Sequence, residues 1–306
     1  MASKNSRQLN TFELVEHFLV NALDIKIDEK NYPNIPKIVT TELNIDNFDD
    51  KKITSKSNSY RNIYYRNDGD RTALKINIIN ELLTKKRLKE DDDITLGKGG
   101  AMPKTKIQQD GQAYIVIGLP ASGKSGISNQ IADMYGAVIL DSDYAKRKLP
   151  EFNSLPFGAT LVHEESVEII FGEESVNGYK SLLNLTSEFK INVVIPKIGN
   201  NIQGILDLVK TLKKLEYTCH LTLVELDRKK AAQRALDRFL KTERYVPLGL
   251  VFDSYSNNPT ITYYSLKRDS QSEFSTFGML NTDVPRNRKP KVLEQQSGNP
   301  AEKFIP

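Results

Sequence analysis

The sequence predicts an α/β fold, a mainly parallel sheet covered by helices on both faces, with a helical N-terminal region ahead of it. From Ala113 onward, short apolar runs rich in β-branched residues alternate with stretches of helical spacing, the signature of strands buried on both sides. The first run feeds a Gly-rich loop, "GLPASGKS" (118–125), and a helical pattern follows at once. The first 94 residues differ in texture, with two amphipathic helical stretches around a middle rich in Asn, Asp, Lys and Ser.

In order, "FELVEHFLVNAL" and "TALKINIINELLTKKRLK" read as the N-terminal helices, and residues 1–94 as an accessory or regulatory region. Asp91, Asp92 and Asp93 lead into a Gly- and Lys-containing linker, 95–112. Its "GKGG" reads as a flexible connection or a second anion nest. The core is expected over 113–265, with strands at "YIVIG", "AVILD", "INVVIP" and "CHLTLVEL" and helices over His163 to Phe171, Asn201 to Leu215 and Arg228 to Leu240. Beyond Ser265 the pattern weakens. Residues 266–306 are expected as a C-terminal extension, partly disordered, ending in the polar, proline-rich "VPRNRKPKVLEQQSGNPAEKFIP".

"GLPASGKS" fits the phosphate-loop pattern G-x-x-x-x-G-K-[ST], which has physical meaning where a buried strand enters the loop and a helix leaves it. Both flanks are present. Gly118 and Gly123 allow backbone angles that turn N–H groups onto phosphate oxygens, and the helix N-terminus adds partial positive charge. The nucleotide-binding candidates are Gly118, Pro120, Ala121, Ser122, Gly123, Lys124, Ser125 and Gly126; Lys124 would reach the β- and γ-phosphates and Ser125 would bind Mg²⁺.

The next motifs decide among phosphate-loop proteins. No N-K-x-D guanine-reading element is found, and "INVVIP" ends in proline where an ATP-driven motor needs an acid. "AVILDSDYAKRKLPEF" instead ends its strand in Asp141 and Asp143, at the carboxyl edge where open α/β sheets bind ligands. Phosphoryl transfer to a hydroxyl uses a carboxylate to take the proton, and Asp143 is the candidate base. Asp141 would orient Mg²⁺ through water or cap the next helix. In "RKKAAQRALDRFLKTERYVP", Arg234 and Arg238 share a helix face and Arg244 follows a short turn. They suit a lid over the nucleotide, where guanidinium groups neutralise charge on the transferred group. Arg228, Lys229 and Lys230 read as a solvated basic face.

Composition excludes other chemistries. Cys219 is the only cysteine, so an intramolecular disulfide or a multi-thiolate metal site is excluded, and His17, His163 and His220 are scattered. The net charge of +4 suits anionic small molecules, and no basic stripe interleaved with aromatics marks a nucleic-acid partner. No apolar run reaches the roughly 20 residues of a membrane span, and the N-terminus lacks the apolar core of a signal peptide. Cytoplasm is the expected location.

Together "GLPASGKS", "LDSDYAKRKLPEF", "VHEES" and "DRFLKTERYVP" resemble, in order and spacing, the zeta-toxin kinases of toxin–antitoxin systems and bacterial effectors. The likeness spans roughly 110 to 260. It implies a phosphate-loop kinase core, ATP or GTP with Mg²⁺, toxicity to the target cell, delivery as an effector in some members, and an antitoxin or immunity partner. It implies Lys124 on the phosphates, Ser125 on Mg²⁺, Asp143 as base, and Arg238 and Arg244 on ATP. Members that phosphorylate UDP-N-acetylglucosamine carry an acid, Gly-Thr and an arginine after the strand corresponding to "NVVI". This chain has "PKIGNN" there, which resembles an effector branch that phosphorylates NAD. Lys197 would pair with an acceptor phosphate or be a solvated loop lysine, and Gly199 would let the backbone approach the acceptor. Glu164 and Glu165 are substrate-side candidates, either of which would point inward.

The expected activity is transfer of a γ-phosphate to a hydroxyl of a nucleotide-containing metabolite, NAD or a nucleotide sugar. The alternative is a nucleotide-binding switch module without transfer.

Overall fold

In a computed structural model, residues 6–29, 31–46, 48–153, 158–285 and 288–305 are described. Helices α1 (Phe12–His17, continued by a π-turn over Phe18–Ala22), α2 (Asn34–Asp46) and α3 (Asp68–Thr84) precede β1 (Gln112–Ile117). Then come α4 (Lys124–Met134), β2 (Val138–Ile139), α5 (Ser142–Lys148), α6 (Gly158–Leu161), α7 (His163–Phe171), α8 (Glu174–Asn177) and α9 (Leu182–Glu188). The chain continues through β3 (Val193–Lys197), α10 (Ile202–Lys214), β4 (Thr218–Glu225), α11 (Arg228–Thr242), α12 (Asn258–Asp269), β5 (Thr276–Asn281) and β6 (Lys291–Gln295).

The strands form one sheet in the order β2-β3-β1-β4-β5-β6, parallel throughout except for the antiparallel β5–β6 pair. Ala113 to Ile117 are all buried, as a strand between two parallel neighbours and two helical layers requires. Helix α4 packs on β1, β2 and β3, while α10 and α12 pack on β4. This is the α/β class expected, and it brings the loops after β1, β2, β3 and β4 to one carboxyl edge. Among the described residues no helix is long and apolar enough to cross a membrane.

The ends of the chain differ from expectation. The N-terminal residues pack into the core in two places. Leu9, Val15, Phe18, Ile35, Ile38 and Val39 share one apolar cluster with Leu119 of the phosphate loop and with Ala231, Leu236 and Phe239 of α11. Leu74, Ile78, Ile79 and Leu82 of α3 join the main core together with Ile94 and Ala101. Residues 95–112 are correspondingly packed: the Ile139 N–H donates to the Ala101 carbonyl, and a Cβ at Gly100 would fall 2.1 Å from the Lys85 carbonyl oxygen. "GKGG" is therefore neither a flexible connection nor an open nest.

At the other end, β5 and β6 extend the sheet, and Pro300–Phe304 form a 3-10 turn against it, with Ala301 and Phe304 buried. The tail expected to be loose is held by strand pairing; its residues 286, 287 and 306 lie outside the described residues.

A buried ion network fixes α3 on the core. The Arg71 side chain, 2% exposed, donates to Glu151 (Nη1–Oε1 2.8 Å) and to Glu165 (Nε–Oε1 2.9 Å). Burial works to raise the Glu165 carboxyl, but Arg71, Lys75 and the Thr54 hydroxyl outweigh it and hold it at about 2. Removing Arg71 takes a guanidinium from both buried carboxylates and leaves Glu165 to Lys75 (3.3 Å). Arg71→Met is therefore expected to cost about 3–5 kcal/mol of stability, read as a lower urea midpoint at unchanged slope. A loss below about 1 kcal/mol would show that Lys75 and Thr54 suffice to hold the carboxylates.

Candidate active site

The loop after β1 is shaped by close approach. Gly118 has φ +155°, and a Cβ there would lie 2.4 Å from the Val224 carbonyl oxygen of β4. Its N–H donates to the Ile198 carbonyl (3.1 Å), which ties the loop to the segment after β3. Ala121 (φ +60°) and Gly123 (φ +89°) turn the chain into α4, whose first residues are Lys124 and Ser125. The eleven-residue α4 thus points its N-terminus, with its unpaired N–H groups and positive dipole end, into the loop. Lys124 Nζ lies inside it, donating to the carbonyls of Gly118 (2.7 Å) and Leu119 (2.6 Å). Burial pulls the Lys124 ammonium down to about 8, with Asp141 and Asp143 opposing that shift. The Ser122 hydroxyl is buried without a hydrogen-bond partner, while its carbonyl accepts from the Thr282 hydroxyl (2.6 Å) just after β5.

The two acids after β2 have different jobs. Asp141 caps α5, its Oδ1 accepting from the Asp143 N–H at 2.9 Å. Burial, then the neighbouring Asp143 charge, pushes its carboxyl up to about 6. Asp143 lies in the first turn, with its side chain 46% exposed and 2.9 Å from Lys146 Nζ. Desolvation acts to raise its carboxyl, but Lys146, Arg147 and Arg238 outweigh it and leave it below the ordinary Asp value.

Opposite lies α11. Arg234 donates to the Thr282 carbonyl (Nη2, 2.8 Å). Arg238 is buried enough to lower its basicity, and its Nε has no hydrogen-bond partner. After the left-handed cap at Glu243 (φ +58°), Arg244 turns back to pair with Asp92 and comes within 4.0 Å of Asp143 Oδ2.

One cleft of about 2020 Å³ gathers Pro120, Ala121, Gly123, Lys124, Ser125, Asp141, Asp143, Lys197, Gly199, Arg234, Arg238 and Arg244. Gly126 and Gly123 border a smaller groove beside Thr282. Gly118 and Ser122 shape the loop from behind. Two expectations are corrected. Glu164 pairs with Lys56 (2.8 Å) and Ser55 (2.5 Å), and Glu165 is sealed beneath Arg71; neither lines the cleft. The N-terminal segment supplies partners for both, and His163, Val167 and Phe171 are the α7 residues that face inward. Gly199 (φ +76°) is required by packing, because a Cβ there would meet the Ile117 side chain at 2.8 Å.

Lys197 ends β3 with its Nζ 4.0 Å from the centroid of the Phe171 ring, and burial lowers its basicity against the pull of Asp141. Lys146 and Arg147 escaped notice, although their spacing of three and four from Asp143 on a helix was the available signal. Nothing local marks Lys37, Thr40 and Thr41 of α2, which also reach the cleft, or Asp92, which pairs with the cleft-lining Arg244.

A parallel sheet with a glycine loop and helix N-terminus at its carboxyl edge, cations converging on a carboxylate, defines a phosphate-loop protein built to gather anionic groups. The family model for zeta toxin matches residues 101–264, more than half of the chain, and the chain belongs to that family. No curated protein matches it in sequence. Among solved structures it is similar to one of the PezAT chromosomal toxin–antitoxin system of Streptococcus pneumoniae, at 14% identity and TM-score 0.50, covering 78% of this chain and 87% of that one. It is also similar to the native AvrRxo1-ORF1:-ORF2 complex, at 15% identity and TM-score 0.45, covering 81% and 73% of the two chains. The AvrRxo1-ORF1:-ORF2 structure with ATP matches at 13% identity and TM-score 0.39, covering 73% and 63%.

Proposed function

We propose that the chain is a zeta-toxin-type kinase that transfers the γ-phosphate of ATP or GTP to a hydroxyl of a nucleotide-containing metabolite, NAD or a nucleotide sugar. The observation that carries this is the convergence of Lys124, Asp143, Arg238 and Arg244 on one cleft at the carboxyl edge. In this reading Lys124 and the α4 N-terminus hold the donor phosphates, and Arg238, whose Nε lacks a partner, turns to the transferred group. Asp143 receives the acceptor proton.

The residues fit Mg²⁺. The Ser125 hydroxyl and Asp141 both line the cleft and would hold the cation beside the nucleotide phosphates, which supply most ligands to Mg²⁺ in such sites. When bound, Mg²⁺ neutralises phosphate charge. An antitoxin or immunity protein is the partner this reading calls for.

Lys197 supports a phosphate-bearing acceptor, because a partly desolvated ammonium held on an aromatic face has charge to offer and little water to satisfy it. NAD is the favoured acceptor, since "PKIGNN" lacks the acid, threonine and arginine of the UDP-N-acetylglucosamine kinases. A panel of NAD, UDP-N-acetylglucosamine, other nucleotide sugars and free amino acids, assayed with labelled ATP, tests it. NAD or a related dinucleotide should lead, and Lys197→Ala should raise its KM about tenfold while changing kcat less. Preferential labelling of UDP-N-acetylglucosamine would reject the NAD assignment, and labelling of no acceptor would reject the kinase.

A further inference from the structure

Asp92 lies outside the stretch that matches the zeta toxin family, in a 3-10 turn over Asp91–Asp93 ahead of β1. The turn is docked on α5, where the Tyr144 hydroxyl donates to Asp91 Oδ1 at 2.9 Å. From there Asp92 Oδ1 accepts from two guanidinium groups: Arg147 Nη2 at 3.3 Å and Arg244 Nη1. Both arginines also touch the candidate base. Arg147 Nη1 donates to the Asp143 carbonyl at 2.9 Å, and Arg244 Nη2 lies 4.0 Å from Asp143 Oδ2.

We propose that Asp92 is a positioning residue, a carboxylate from outside the matched family segment that holds Arg244 and Arg147 against Asp143. The proposal rests on the kinase reading and deepens it. Arg244 sits two residues past the end of α11, outside any helix or strand, where its backbone leaves a long side chain free to choose among conformations. Arg238 needs no such tether, because the helix that carries it fixes its backbone.

The charges point the same way. Lys124, Lys146, Arg147, Arg238 and Arg244 gather around Asp141 and Asp143. The Asp92 carboxylate balances part of that positive charge and orients two of the cations.

Asp92 therefore opposes the donor nucleotide electrostatically while readying the arginines for transfer, and its removal should split binding from turnover. Asp92→Ala is expected to bind ATP about three- to tenfold more tightly, because the charge of Arg244, which lines the cleft, is no longer offset by a carboxylate paired to it. It is expected to transfer about tenfold more slowly, because Arg244 is no longer held in place. A merely structural residue would weaken binding and turnover together.

The test measures ATP affinity by calorimetry and single-turnover transfer for the full chain, Asp92→Ala and Asp92→Glu. Tighter binding with slower transfer, both moved back toward wild type by Asp92→Glu, supports the inference. Unchanged or weaker ATP binding in Asp92→Ala overturns it. A double-mutant cycle with Arg244→Ala adds a second readout: if Asp92 acts through Arg244, the two losses in transfer rate fall well short of additive, and additive losses reject the inference. A wild-type chain that neither binds ATP nor transfers from it would defeat the kinase reading itself; an active wild type with an indifferent Asp92→Ala defeats this inference alone.

Discussion

Lys124→Ala is expected to abolish measurable transfer, a loss on the order of 10³-fold in kcat/KM, comparable to deleting a preorganised charge from a transition-state site. The ammonium lies inside the loop, held by the Gly118 and Leu119 carbonyls, so an incoming phosphate finds it already oriented. Lys124→Arg should not rescue, since the planar fork is too large for a space lined by loop backbone.

The pH dependence follows from the lowered basicity. The free enzyme needs the ammonium form, so kcat/KM should fall as pH rises through about 8. In kcat the same limb should move to higher pH, because bound phosphate favours the charged form. If the chain is toxic as its family suggests, expressing it in bacteria slows growth and Lys124→Ala relieves it. Normal transfer by Lys124→Ala would reject the assignment of Lys124 to the donor phosphates.

How much of this was legible depended on sequence distance. Strand, glycine loop and helix stand next to one another between Ala113 and Met134, so their pattern could be read directly. Asp141 and Asp143 were placed by the end of the strand before them, and Arg234 and Arg238 by helical spacing. The C-terminal strand "TFGMLN" escaped, because a six-residue run with a central glycine carries little periodicity and is made a strand by β4 beside it. The misassignment of Glu164 and Glu165 has a similar origin. Two acids at the start of a helix look like substrate ligands until Arg71, 94 residues earlier, is found beneath one and Lys56 beside the other. Gly199 reads in the sequence as room for an acceptor to approach, and in the fold its positive φ and the Ile117 side chain, 2.8 Å from where a Cβ would sit, already call for glycine. Pairings such as Asp92 with Arg244, or Thr282 with Ser122, are consequences of the completed sheet and have no local trace.

Asp143→Asn is the substitution that separates a kinase from a nucleotide-binding switch, since a switch has no use for a base. Its carboxylate is depressed by Lys146, Arg147 and Arg238 despite desolvation, so it is ionised at neutral pH but intrinsically weak as a proton acceptor. That limits what it can contribute: phosphoryl transfer asks chiefly for positioning and charge neutralisation, and a base of this kind orients the acceptor hydroxyl and takes its proton late. The expected loss in kcat is accordingly on the order of 10²-fold, with ATP affinity nearly unchanged. A second readout follows from the pair. Asp141 is pushed up to about 6 by burial and by the Asp143 charge, so of the two acids it takes up a proton first as pH falls and Asp143 stays ionised. Neutralising Asp143 removes the like charge, so the Asp141 carboxyl should titrate lower in Asp143→Asn, as carbon-detected NMR of labelled Asp can follow. If ATP binding instead falls as steeply as turnover, Asp143 is a metal ligand. If transfer persists at the wild-type rate, the proton leaves by another route and the assignment of the base is wrong.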